Sequence, residues 1–300
     1  MTPRYCAACM AVSKVGKSDR TPRLRHGVRS ALTFKECLAL EVSLKLQSPH
    51  GKLVRIDTER HIVLYEYQPD RKWERPKEFL KGFSGYLHAD GYDGYHSLPE
   101  NITVVGCWAH MRRKFDEALK SLPEKDREGS GAMRGKRYCD RLFEIERSLA
   151  DVDADKRHEK RNEVSKPVLD EFFRWAATLN ALPKSLLGQA AGYAASQRVY
   201  LERFLLDGRL EISNNRAERA IKPFVIGRKN WLFSNTPNGA KTSSVIYSVI
   251  ETAKENRLKP FEYLVFLLQG IPNATTGSID DFLPWSDKIP CSCRGCQGSS

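Results

Sequence analysis

Apolar residues alternate with polar ones over the first third of this 300-residue chain and then recur every three to four positions. His61-Ile-Val-Leu-Tyr-Glu-Tyr67 is dense in β-branched and aromatic residues and predicts a strand. Before it, Leu38–Leu46 alternates as a half-buried strand does, Gln47–Gly51 is a turn cluster, and Leu53-Val-Arg-Ile56 reads as a further short strand. Val12–Arg29 mixes Lys, Arg, Ser, Gly and Pro with few large apolar groups and predicts a loose segment. Gln68-Pro-Asp-Arg71 breaks the His61 strand, and a short helix is expected over Trp73–Lys81. Tyr86–Ala89 is a short apolar run that stops at Asp90, with glycines at 91 and 94; Ile102–Cys107 reads as a buried strand. Strands interspersed with helices predict an α/β layer.

From Arg112 to about Leu210 the period is helical. Phe115, Ala118 and Leu119 share a face, as do Tyr138, Leu142, Ile145 and Leu149; Val168–Leu179 and Ala190–Leu206 are further helices. The dense charge of Asp151–Arg161 predicts a solvated face or a flexible connection. Asn215-Arg-Ala-Glu218 has the spacing of a capping box, opening a helix expected to stop near Pro223. A helix over Gly239–Arg257 and another from Pro260 through Leu268 follow, and Gly, Thr, Ser and Pro from Pro272 onward predict a tail.

Composition adds a partner class. The formal charge is +12 and the pI near 9.3, which points to a polyanion, DNA or RNA first, although a basic balance also serves solubility alone. Met-Thr-Pro-Arg-Tyr-Cys lacks the apolar core of a signal peptide and no apolar run has the length of a membrane span, so a cytosolic chain with reduced thiols is expected. Cys37, Cys107 and Cys139 are scattered. Cys6 and Cys9 have the spacing of half a zinc site, and Cys291, Cys293 and Cys296 cluster at the other end, without a second Cys-x-x-Cys at close range.

Three blocks carry the candidate chemistry. The first is Gly85-Tyr-Leu-His-Ala-Asp90-Gly-Tyr-Asp-Gly-Tyr95, where a strand end presents an acid; its plain reading is an Asp-Gly turn. The second is Ile102-Thr-Val-Val-Gly-Cys-Trp-Ala-His110, running into the basic Met111-Arg-Arg-Lys-Phe115. Its Cys107 and His110 form a Cys-x-x-His pair without two further zinc ligands nearby; the plain reading is a core thiol followed by a surface imidazole. The third is Glu211-Ile-Ser-Asn-Asn-Arg-Ala-Glu218-Arg, continuing to Trp231. In this order the blocks resemble the insertion sequence 66 family of bacterial DDE transposases, over about Thr58 to Trp285.

The resemblance implies an α/β fold with an RNase H-like core, interrupted by a large all-helical insertion and incomplete at the amino terminus. Residues 1–57 are the unmatched, partly disordered segment, 58–110 the strands with Asp90, 111–210 the insertion, 211–271 the rest of the core with Glu218, and 272–300 the tail. Such enzymes hold two Mg²⁺ ions on three carboxylates and cut, then join, DNA ends. Asp90 matches the second carboxylate and Glu218 the third, beside Glu218's alternative role in the capping box. Cys107, His110, Asn214 and Asn215 would shape the site. Arg112, Arg113, Lys114, Arg219, Lys222, Arg228, Lys229 and Trp231 would contact DNA, against the plain reading of solvated charge.

The first carboxylate belongs to an Asp-Glu-Thr that does not occur here; Glu41 is its only crude substitute by position. Loss of resemblance at about Asp57 suggests a truncated or rearranged reading frame. The implied partners are double-stranded DNA at element ends and target, further copies of the chain on DNA, and accessory proteins of the element, in the bacterial cytoplasm at the nucleoid. Two expectations compete: a transposase impaired by loss of one acid, and an inactive DNA-binding remnant. A zinc-organised RNA-binding or ribosome-associated protein is a third reading, and leaves the Asp90 and Glu218 blocks unexplained.

Overall fold

The computed structural model describes residues 41–46, 52–57, 61–67, 74–91, 95, 98–230, 236–274 and 279–295. It is an α/β chain, mostly helical with a small sheet. Cys6, Cys9, Cys37, Cys296 and Trp231 lie outside the described residues, and Arg228 and Lys229 are described by backbone alone.

The chain divides into two compact units, one comprising residues up to Gly85, Leu98–Ile102 and Ala217 onward, the other Tyr86–Ser97 and Thr103–Arg216. In the first, β1 (Glu41–Leu46), β2 (Lys52–Asp57) and β3 (Ile62–Tyr67) form an antiparallel meander, with Leu44 opposite Arg55 and Val54 opposite Tyr65. A short helix, α1 (Glu74–Phe79), follows β3. The meander is stapled to a helix by hydroxyls. On α8 (Pro237–Glu255), Ser248 accepts from the Tyr65 N–H at 2.8 Å, and Thr252 both accepts from the Val63 N–H and donates to its carbonyl at 3.0 Å. One turn on, the Asn256 amide donates to the His61 carbonyl. Residues four apart stack on one helix face, so a polar stripe runs beside the strand and satisfies its backbone away from water.

Two expectations change here. The helix that should stop at Pro223 runs on: α7 spans Asn215–Asn230 with the proline inside it. Its Ala217, Ala220 and Ile221 are buried on Val63 and Tyr65, and the Tyr65 hydroxyl donates to the Ala220 carbonyl. That packing offsets a mid-helix proline's cost, about 3 kcal/mol. The expected tail is folded. Phe282, Ile289 and Cys293 are buried with Val249, Leu258, and the Tyr263 and Leu267 of α9 (Pro260–Gly270). The Tyr263 hydroxyl donates to the Phe282 carbonyl and the Lys259 N–H to that of Cys293, both at 2.7 Å. Aperiodic apolar residues among turn formers leave no pattern to read, yet each fills a pocket.

In the second unit the end of β4 (Gly85–His88) meets the end of β5 (Ile102–Val105), with the Ala89 N–H on the Val105 carbonyl at 3.0 Å. Helices then follow: α2 (Trp108–Lys120), α3 (Gly131–Ser148), α4 (Ala154–Lys160), a π-helical turn Arg161–Ser165, α5 (Lys166–Ala177) and α6 (Leu186–Glu202). Their core is aromatic: Trp108, Phe115, Phe172 and Phe173 are buried, and the Trp108 and Phe172 rings meet edge to face at 5.3 Å.

Candidate functional site

The residues between β5 and α2 explain their own identities. The Gly106 N–H donates to the Tyr200 carbonyl at 2.9 Å, and a Cβ there would stand 3.0 Å from the Leu201 nitrogen, so only glycine lets the end of α6 come this close. Cys107 is fully buried, and its sulfur accepts the Asn214 N–H at 3.2 Å. Trp108 donates twice: its backbone N–H to the Ile212 carbonyl at 3.1 Å and its indole N–H to the Leu201 carbonyl at 2.9 Å. His110 is buried too, only 8% exposed, which corrects the surface imidazole of its plain reading. Gly-Cys-Trp is thus the seam joining β5, α6 and the 211–214 segment.

The strand-end acid enters the same seam. His88, the last residue of β4, is buried and donates from Nε2 to the Glu211 carbonyl at 2.5 Å. Burial, and then the positive charge of Arg161, push its pKa down to about 4 although the hydrogen bond opposes them, so the ring is neutral at ordinary pH. Two residues on, Asp90 is partly buried. Gly91 then turns with φ +77°, and a side chain there would press on the Tyr193 hydroxyl and the Gln197 amide of α6, 3.1 and 3.3 Å away. Burial raises the Tyr193 phenol; Cys107 and Asp90 raise it further, while Arg113 pulls it down. The Lys114 ammonium lies 5.0 Å from the centre of the same ring. Parts of all three sequence blocks therefore meet in one unit.

Residues 51–242 match the family described as Transposase IS66 family, and residues 248–285 match the IS66 C-terminal element. The chain belongs to the IS66 transposase family. It is similar to the uncharacterized protein y4qI of Sinorhizobium fredii (strain NBRC 101917 / NGR234), 34% identical over 240 residues, 76% of this chain and 43% of that protein. It is similar also to y4hP of the same organism, 32% identical over 241 residues, 75% and 44% respectively. The chain spans less than half the length of the curated relatives it matches. No solved structure matches it.

In this IS66 chain the two matched acids fall in different units, Asp90 in the second and Glu218 in the first. Asn215 is the first residue of α7 and Glu218 stands in its first turn, so a capping box with Asn215 as cap would need the helix to begin one residue later. Asn214, the residue before the helix, is wholly buried. Among the described residues no three His, Cys, Asp or Glu side chains gather as a metal site. Of the basic residues, Arg112 is held by Asp140, Arg113 is exposed, and Arg219 and Lys222 are exposed on α7. Glu41 lies on β1. Cys293 is buried in the first unit's core and Cys291 is exposed.

Arg161 was missed. It closes a charged run that reads as solvated, yet it is only 1% exposed. Its guanidinium donates twice to Glu146, at 2.9 and 2.6 Å, and to the carbonyls of Phe204, Asp207 and Leu210 at 2.9, 2.9 and 2.7 Å. Five N–H donors meet five acceptors, the only state in which so buried a cation is tolerable. Three of those acceptors lie just before Glu211, so the arginine fixes the approach to the third block. A charge run gives no signal of which member turns inward.

Proposed function

We propose that this chain is catalytic machinery of a DNA transposase, acting on the ends of an insertion element by metal-dependent phosphoryl transfer. The observation that carries the reading is the meeting of the sequence blocks, His88 on Glu211 and Cys107 on Asn214, in a chain of the IS66 family. We further propose an RNase H-like core; the antiparallel meander followed by β4 and β5 supports it. Double-stranded DNA is the substrate, further copies of the chain and accessory proteins of the element are its partners, and the bacterial cytoplasm at the nucleoid is its place of action. Among the described residues no helix is long and apolar enough to cross a membrane.

The Asp90 carboxylate, partly buried just past β4, is the kind of hard oxygen donor that suits magnesium. Asp90 and Glu218 would hold it, and the bound ion would activate water and offset charge on the phosphodiester. The Gly91 turn beside Asp90 packs against Tyr193 and Gln197 of α6. His88, neutral and bonded to a carbonyl, adds no competing charge beside it. Cys107, His110, Asn214 and Asn215 hold the seam's shape. Arg112, Arg113, Lys114, Arg219, Lys222, Arg228, Lys229 and Trp231 are proposed to meet DNA.

A second reading, a DNA-binding remnant without activity, is favoured by the lack of an Asp-Glu-Thr in the sequence. Magnesium-dependent nicking of duplexes carrying the cognate ends separates the two. Under the first, Asp90→Asn and Glu218→Gln each lower the rate by about 100-fold or more with DNA still bound. Salt-sensitive DNA binding without any nicking would leave the remnant; nicking indifferent to Asp90→Asn would overturn the site.

A further inference from the structure

Between α2 and α3 lies an open groove of about 480 Å³, whose rim includes Arg112, Arg113, Asp116, Asp140, Arg147 and Asn215. The α2 residues recur at helical spacing along one face, as do those of α3, so the groove follows the seam between two helices and ends at the first residue of α7.

Its two acids are already engaged. Asp116 pairs with Lys120 at 2.6 Å, and Asp140 takes both Arg112 and Lys136, the latter at 2.8 Å. Burial works to raise the Asp140 carboxyl, but those two hydrogen bonds outweigh it and hold it below its ordinary value. Asp140 thus remains charged and keeps the Arg112 guanidinium fixed at the rim. Arg113 and Arg147 are exposed, and neither makes an ion pair among the described residues. The balance of these groups is positive by three: Arg112, Arg113, Arg147, Lys120 and Lys136 against Asp116 and Asp140. Exposed, unpaired guanidiniums beside a fixed one suit phosphate oxygens, which they can meet through paired N–H donors.

We propose that this groove is a subsite for backbone phosphates of duplex DNA, with Arg147 and Arg113 as its contacts and Arg112 as its fixed cation. The proposal rests on the transposase reading and extends the DNA path to α3, where the sequence pointed to no contact.

The test is the salt dependence of binding to an element-end duplex, measured by fluorescence anisotropy on the full chain. Each phosphate contact contributes about 0.9 to the slope of log affinity against log salt. Arg147→Gln and Arg113→Gln should each lower the slope by about one and weaken binding several-fold, and Arg147→Lys should restore most of the slope. Arg174→Gln, the same charge change at an exposed position of α5 outside the groove, should alter neither. All these positions are exposed, so the variants fold, and an unchanged thermal midpoint checks it. Salt-sensitive binding in which Arg147→Gln behaves like Arg174→Gln overturns the groove alone. No binding to duplex DNA by the unaltered chain overturns the transposase reading and the groove with it.

Discussion

Burial strips His88 of the water that would support its charge, and the folded imidazole takes up a proton only at about pH 4. In the unfolded chain the same ring protonates near pH 6.5. Below that value the unfolded state binds the extra proton, so the stabilisation is complete above pH 6.5 and is lost as pH falls toward 4. The difference corresponds to about 3 kcal/mol for this fully buried group. Urea unfolding at pH 7 and at pH 4.5 should show a steeper acid loss in the unaltered chain than in His88→Gln, whose amide can still donate to the Glu211 carbonyl. Equal losses in both would show that His88 is not the group that titrates. Nothing in the sequence singles out this histidine, because a His between Leu87 and Ala89 reads as one more strand residue. Asp90, by contrast, was singled out as a candidate, not by its own Asp-Gly turn but by the blocks that accompany it.

The helices α2, α3 and α5 follow from their period, because a 3.6-residue recurrence of large apolar groups is what a buried helix face requires. Period says nothing of the charged links between them. Asp151–Arg161 became α4 and the start of a π-helical turn, since Arg161 finds five acceptors inside. Arg161→Met should destabilise the chain by about 3–5 kcal/mol, the usual result of breaking a buried pair. Adding Glu146→Leu should restore only part of this, because the carbonyls of Phe204, Asp207 and Leu210 stay without their donor. Full restoration in a denaturation series would assign the loss to the ion pair alone. Proline 223 makes the complementary point: local propensity predicted a stop, and contacts with β3 decided otherwise.

Over the whole molecule the net charge of +12 is in keeping with the DNA partner proposed for this member of the IS66 family. Activity is a stricter matter. Two-metal phosphoryl transfer depends on placement and on charge compensation, so if Asp90 and Glu218 are ligands as proposed and no third acid joins them, nicking should be weak or absent. Robust magnesium-dependent nicking that Glu41→Gln abolishes would overturn this expectation and make Glu41 the first ligand.

The sequence by itself determined the family and the helical run after β5, because each depends on residue type at fixed spacing along the chain. The folded carboxyl-terminal segment, the continuation of α7, the inward turn of Arg161 and the burial of His110 came only from tertiary structure. The physical reason is common to all four. A polar or irregular segment is placed by acceptors and pockets supplied from distant parts of the chain, such as the Leu210 carbonyl for Arg161 and the β3 face for α7. Those partners are brought near by packing, and local pattern carries no record of them.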